Sequence, residues 1–105
     1  MNTSYFFTEN INSLLAEIPD DSIVSRTFYE NDTLKAILFG FAPGQELSEH
    51  TASKPAILHF LSGTADITLG ADKMAIEPGA WMYMQPKLPH SVVAKEKVLM
   101  LLLLL

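Results

Sequence analysis

Cysteine is absent from the 105 residues. That excludes disulfides, thiolate metal centres and cysteine nucleophiles. Basic residues are scarce: seven Lys and Arg stand against twelve Asp and Glu, for a formal net charge of −5. They are scattered, with no run or stripe. Nucleic acid and anionic membrane surfaces both demand a clustered positive footprint, so neither is expected as a partner. No long apolar run is present either. The longest, Val98 to Leu105, has eight residues, where a membrane-spanning helix needs about 20. The opening MNTSYFFTENINSLL has no basic segment ahead of an apolar one, so it does not read as a signal peptide. A cytoplasmic location is expected.

Charge of either sign is thin: 18% of residues are charged and 49% hydrophobic, with mean hydropathy +0.20. A chain this short fits one domain, spanning 1–105, and has a high surface-to-volume ratio. So apolar a composition is expected to bury surface against a second copy, giving a homodimer.

Turn signals recur at short intervals: Asn31-Asp32, Pro43-Gly44, Ser62-Gly63, Gly70 to Asp72, Pro78-Gly79 and Pro86 to Pro89. Short segments between regular turns indicate an all-β sandwich or barrel of about eight or nine strands. In TADITLGADKMAIEPG, Ala65, Ile67 and Leu69 alternate with polar neighbours up to the Gly70 turn, and Met74 and Ile76 alternate after it. This is a half-buried hairpin of period two. Further strands are expected at 23–29, 34–41, 56–61, 80–84, 91–94 and 98–105. The last lacks polar alternation and fits a strand buried on both faces. Only 10–18 reads as helix, capped by Asn10, with Ile11, Leu14, Leu15 and Ile18 on one stripe.

Two stretches suggest a family. Pro43-Gly44-Gln45-Glu46-Leu47-Ser48-Glu49-His50, running on to Leu61-Ser62-Gly63, resembles the first conserved motif of the cupins. Gly44, His50 and Gly63 fall in place. Pro78-Gly79 through Leu88-Pro89-His90-Ser91-Val92 resembles the second, in which a proline-rich turn precedes the last histidine. The resemblance covers residues 34–105, leaving 1–33 as an N-terminal segment with the first strands. It implies a double-stranded β-helix, the small jelly-roll barrel of the conserved-barrel cupins, often dimeric, with a site inside the barrel.

In metal-binding cupins the two motifs supply three histidines and a glutamate. Carried over, the first and last histidines are His50 and His90. Ala52 holds the place of the second histidine and Ala56 that of the glutamate, so half of the ligand set is missing. A divalent metal (zinc, iron, manganese or nickel) would need a third ligand from elsewhere. Glu46, by strand parity with His50, and Gln85, by its amide oxygen, are the candidates. His59 has the wrong parity for the interior and suits a face that meets a partner. Trp81 and Tyr83 are expected on that outer face too.

Leu58 and Phe60 should share the inner face with Ala52 and Ala56. Met82, Met84 and Val92 have the parity of His90. The expected result is a mostly apolar pocket with two imidazoles, suited to a small organic ligand with one polar handle. Three functions remain open at this point. One is a binding protein, with or without a weakly held metal. Another is an enzyme of isomerase, decarboxylase or dioxygenase type using His50 or His90 as base or ligand. The third is a dimeric scaffold with a vestigial site.

Overall fold

The structure, a computed structural model, describes residues 4–105. Nine strands form: β1 (Ile23–Glu30), β2 (Lys35–Phe41), β3 (Glu46–His50), β4 (Ala56–Ser62), β5 (Ala65–Leu69), β6 (Asp72–Ile76), β7 (Trp81–Met84), β8 (His90–Ala94) and β9 (Val98–Leu104). They build two antiparallel sheets, one ordered β1-β2-β9-β4-β7 and the other β3-β8-β5-β6. Apart from the β1–β2 and β5–β6 hairpins, sequential strands cross between the sheets, as in a jelly roll.

The expected helix over 10–18 does not form. A single 3-10 turn, Ile11–Leu14, stands in its place. Asn10 caps it, its Oδ1 accepting from the Asn12 N–H at 3.0 Å. The turn ends at Leu15, whose φ of −137° and ψ of 83° are not helical. The apolar stripe finds its partner without a helix: Leu15 and Ile18 lie directly over Gly40 on β2, where an added Cβ would come within 2.5 Å of Ile18 Cγ1 and 3.0 Å of Leu15 Cδ2. Arg26 Nη1 donates to the Leu14 carbonyl at 2.8 Å. The segment thus lies flat on the outer face of the larger sheet and covers Ala36 and Leu38, both buried.

Between the sheets, inward residues alternate with outward ones. Phe41, Leu58, Phe60, Ile67, Val92, Val98 and Met100 are all nearly or fully buried in one cluster. Burial falls along β9. Val98, Leu99 and Met100 are buried, whereas Leu101 to Leu104 are only half-buried. The expectation of burial on both faces therefore holds for the first half of this central strand and not for the second. The barrel is packed solid at the end where β9 starts and looser where it finishes.

Candidate functional site

His50 ends β3 and His90 begins β8, and the register sets them opposite each other. Their ring centroids are 4.2 Å apart with an interplanar angle of 58°. Each Nδ1–H donates to the carbonyl two residues earlier, His50 to Ser48 and His90 to Leu88, both at 2.9 Å. A carbonyl only accepts, so Nδ1 carries the proton and, in the neutral ring, Nε2 is left as an acceptor. His50 is exposed and His90 is 6% exposed. Among the described residues no buried side-chain nitrogen or oxygen lacks a partner. The unbonded Nε2 of His90 therefore reaches solvent. Burial, above all, lowers the pKa of His90 below the ordinary imidazole value. The Leu88 hydrogen bond opposes this, and the charge of His50 adds to it.

The rim is tied together by backbone bonds. Lys87 N–H donates to Ala52 O at 2.7 Å, Gly70 N–H to Pro89 O at 2.8 Å and Leu105 N–H to Pro55 O at 2.9 Å. These loops frame the looser end of the barrel. The half-buried Leu47, Leu69, Met82, Leu88, Leu102 and Leu104 pack there against the core. Sequence reasoning missed most of this lining. Leu102 and Leu104 were hidden in a leucine run with no alternation to mark a face, and β3 was not recognised as a strand.

The expected pocket residues lie deeper than a pocket. Ala56, Leu58, Phe60, Met84 and Val92 are at most 2% exposed and belong to the core cluster. Side chains fill that depth of the barrel, as small barrels tend to do. Ala52 and Met82 are half-buried and sit nearer the opening. A cleft of about 370 Å³ is found elsewhere, between the N-terminal segment and Lys97, lined by Ala16, Glu17, Ile18, Pro19 and Asp20. It touches neither histidine.

Neither suggested third ligand joins the pair. Glu46 pairs with Val93, on the face opposite to Val92 and His90. A bulge between Leu47 and His50 breaks the parity on which the expectation rested, and Leu47, not Glu46, turns inward with His50. Gln85 is exposed on the turn after β7, one residue beyond inward Met84. Among the described residues no three His, Cys, Asp or Glu side chains converge. Two imidazoles fall one short of the three protein ligands of a catalytic zinc, so the donor set does not fit a firmly held divalent ion.

His59 pairs with Leu101 and Trp81, and Ile57 with Leu103 and Tyr83, all on the outer face of the larger sheet. No helix among the described residues is long and apolar enough to cross a membrane.

A jelly-roll barrel whose two motif histidines meet at its mouth defines a class, and the family follows from the chain itself. The cupin domain model matches residues 37–105, and the chain belongs to the cupins. A cupin superfamily protein from Desulfitobacterium hafniense superposes with a TM-score of 0.82 at 25% identity, over 89% of this chain and 85% of that one. A conserved protein of unknown function from Streptococcus pyogenes gives 0.74 at 28% identity, over 86% of this chain and 87% of that one. Salicylate 1,2-dioxygenase from Pseudoaminobacter salicylatoxidans gives 0.73 at 12% identity, over 78% of this chain but 26% of that one, a likeness of fold alone. No curated protein sequence matches the chain.

Proposed function

We propose that the chain binds a small organic molecule at the barrel mouth, with the His50–His90 pair as its polar anchor and no resident metal. The observation that carries this reading is the paired orientation of the imidazoles. Both Nδ1–H groups are spent on backbone carbonyls, so both rings offer Nε2 lone pairs. Such a site calls for a ligand that brings a hydrogen-bond donor, a hydroxyl above all. The half-buried leucines and Met82 around it call for an apolar body.

The test is thermal unfolding with a panel of small phenols and alcohols. A binding compound at 100 times its dissociation constant stabilises the native state by about 2.7 kcal/mol. That gain should vanish in a His50→Gln, His90→Gln double variant of retained fold. A panel that never moves the midpoint, or moves it equally in the variant, would leave the scaffold reading in possession. Elemental analysis of protein purified without chelator belongs beside it. About one divalent ion per chain would overturn the metal-free form of the proposal.

One observation favours a second reading, acid–base catalysis. Burial keeps His90 neutral at a pH where an ordinary histidine is partly charged. On that reading His90→Gln abolishes turnover of a bound compound without weakening the fold.

A further inference from the structure

The open cleft of about 370 Å³ between residues 16–20 and Lys97 lies at the base of the barrel. Lys97 comes just before β9, whereas the histidines sit at the mouth where β9 finishes. Both walls of the cleft are anchored. On one side Ile18 sits on Gly40 of β2. Ser22 Oγ donates to the Asp20 carbonyl at 3.2 Å, and the Ala42 N–H donates to the Ser22 carbonyl at 2.9 Å. On the other side Lys97 is held between fully buried Val98 and a turn tied to Thr64. Lys95 N–H donates to the Thr64 carbonyl at 2.9 Å, and the Thr64 hydroxyl donates to Glu96 Oε1 at 2.9 Å.

Charge of both signs lines this cleft without pairing. Glu17 and Asp20 belong to one wall and Lys97 to the other. The neighbours of Lys97 are engaged elsewhere, Lys95 with Asp66 at 3.1 Å and Glu96 with Thr64. Among the described residues no carboxylate lies within 4.0 Å of the Lys97 ammonium. Opposite charges attract more strongly the closer they come, yet the anchored walls keep these apart. The cleft is therefore matched to a molecule that carries both signs itself.

We infer that the cleft binds a free α-amino acid, with its ammonium toward Glu17 and Asp20 and its carboxylate toward Lys97. The volume is near the low end of the roughly 300–1,000 Å³ of small-molecule sites, which suits a ligand of that size. Each end of the ligand meets a group of opposite charge and complementary hydrogen-bonding capacity, ammonium donating and carboxylate accepting. Two carboxylates against one ammonium leave the lining acidic. A basic side chain is therefore favoured over a neutral one, and an acidic one is disfavoured. Ala16, Ile18 and Pro19 offer apolar surface for the methylene stem of such a side chain. A simple anion would meet two carboxylates, and a bare metal cation would meet the Lys97 charge. The site is separate from the histidine pair, so the inference does not depend on the function proposed for the mouth.

Titration of the isotope-labelled full chain with L-lysine, followed by amide chemical shifts at constant pH and ionic strength, tests the inference. The expected result is saturable shifts centred on residues 16–20 and 95–98. Lys97→Gln should weaken binding about two- to fivefold, the range of one exposed ion pair. A Glu17→Gln, Asp20→Asn double variant should weaken it at least as much. All three side chains are on exposed residues, so the rest of the amide spectrum should stay in place. L-norleucine, which lacks the second ammonium, and 1,5-diaminopentane, which lacks the carboxylate, should both bind more weakly than L-lysine. Shifts that never saturate would overturn the inference, as would binding unchanged in Lys97→Gln. Equal binding of 1,5-diaminopentane would reduce the effect to attraction of cations by an acidic protein. Shifts centred on residues 50–52 and 87–90 would place the amino acid at the barrel mouth and overturn the inference as well.

Discussion

Alanine at Gly63 should damage the fold far more than alanine at Gly44, although the two glycines have nearly the same backbone. Their φ values are +81° and +82°. A side chain in that left-handed region costs about 1–2 kcal/mol at either position. At Gly44 nothing lies within 4 Å of an added Cβ, so the conformational cost is the whole effect. At Gly63 the Cβ would overlap the Lys97 carbonyl oxygen and come within 2.9 Å of both the Lys97 carbonyl carbon and Val98 Cα. These are backbone atoms, and no rotamer change removes them. Relief requires β9 to move away from β4 where Ser62 pairs with Leu99 and where Val98 is fully buried. Overpacking of this kind adds about 1–3 kcal/mol. The expected losses are about 1–2 kcal/mol for Gly44→Ala and about 2–5 kcal/mol for Gly63→Ala. For a domain of this size each kcal/mol is worth about 4–8 °C in Tm. Urea unfolding at one fixed protein concentration, with the slope checked for constancy, measures both. Equal losses, within about 0.5 kcal/mol, would refute the steric account and reduce Gly63 to an ordinary turn glycine.

Two further outcomes follow from burial and charge. His90 has a lowered pKa in the folded chain and an ordinary one when unfolded, so the unfolded state binds more protons between the two values. Stability is complete above the ordinary value near 6.5, falls on acidification through it, and levels off below the folded value. One proton limits the slope to about 1.4 kcal/mol per pH unit. Urea midpoints measured across this range should flatten in His90→Gln. The burial gradient along the barrel should appear as a gradient in cavity cost. Phe60→Ala, at the packed end, should lose about 3–5 kcal/mol. Leu102→Ala, half-buried at the mouth, should lose clearly less by the same assay, and equal losses would mean that the mouth is as tightly packed as the base.

Most of the fold was legible because it rests on period two and on turn residues. The hairpin through Gly70, the inward parity of Met82, Met84 and Val92, and the outward parity of His59, Trp81 and Tyr83 all follow from alternation. Each matches the observed register. The N-terminal stripe was legible as apolar but not as to shape. Its residues are held by a sheet face around Gly40, so tertiary contact, not helix propensity, decides their backbone. The run Leu101 to Leu105 could not reveal which face was open, since leucine serves equally at a core, a mouth or an interface. Depth was illegible for a related reason. Parity says that Ala56 and Leu58 point inward, but not that both are closed off from solvent within the core cluster.

The bulge between Leu47 and His50 is where period-two reasoning fails at the site, and its effect on the chemistry is specific. Without it, strand parity would turn an acid, Glu46, to the inner face that carries the imidazoles. With it, Leu47 turns inward and Glu46 faces Val93 on the outside. The mouth therefore gathers two hydrogen-bond acceptors and a ring of aliphatic side chains. An imidazole pair supplies no negative charge to balance a cation, whereas each free Nε2 lone pair can accept a hydrogen bond from a neutral ligand. The extra residue in β3, as much as the alanines at 52 and 56, leaves the histidine pair without an acid on its face, and this is what favours the proposed uncharged organic ligand over an ion.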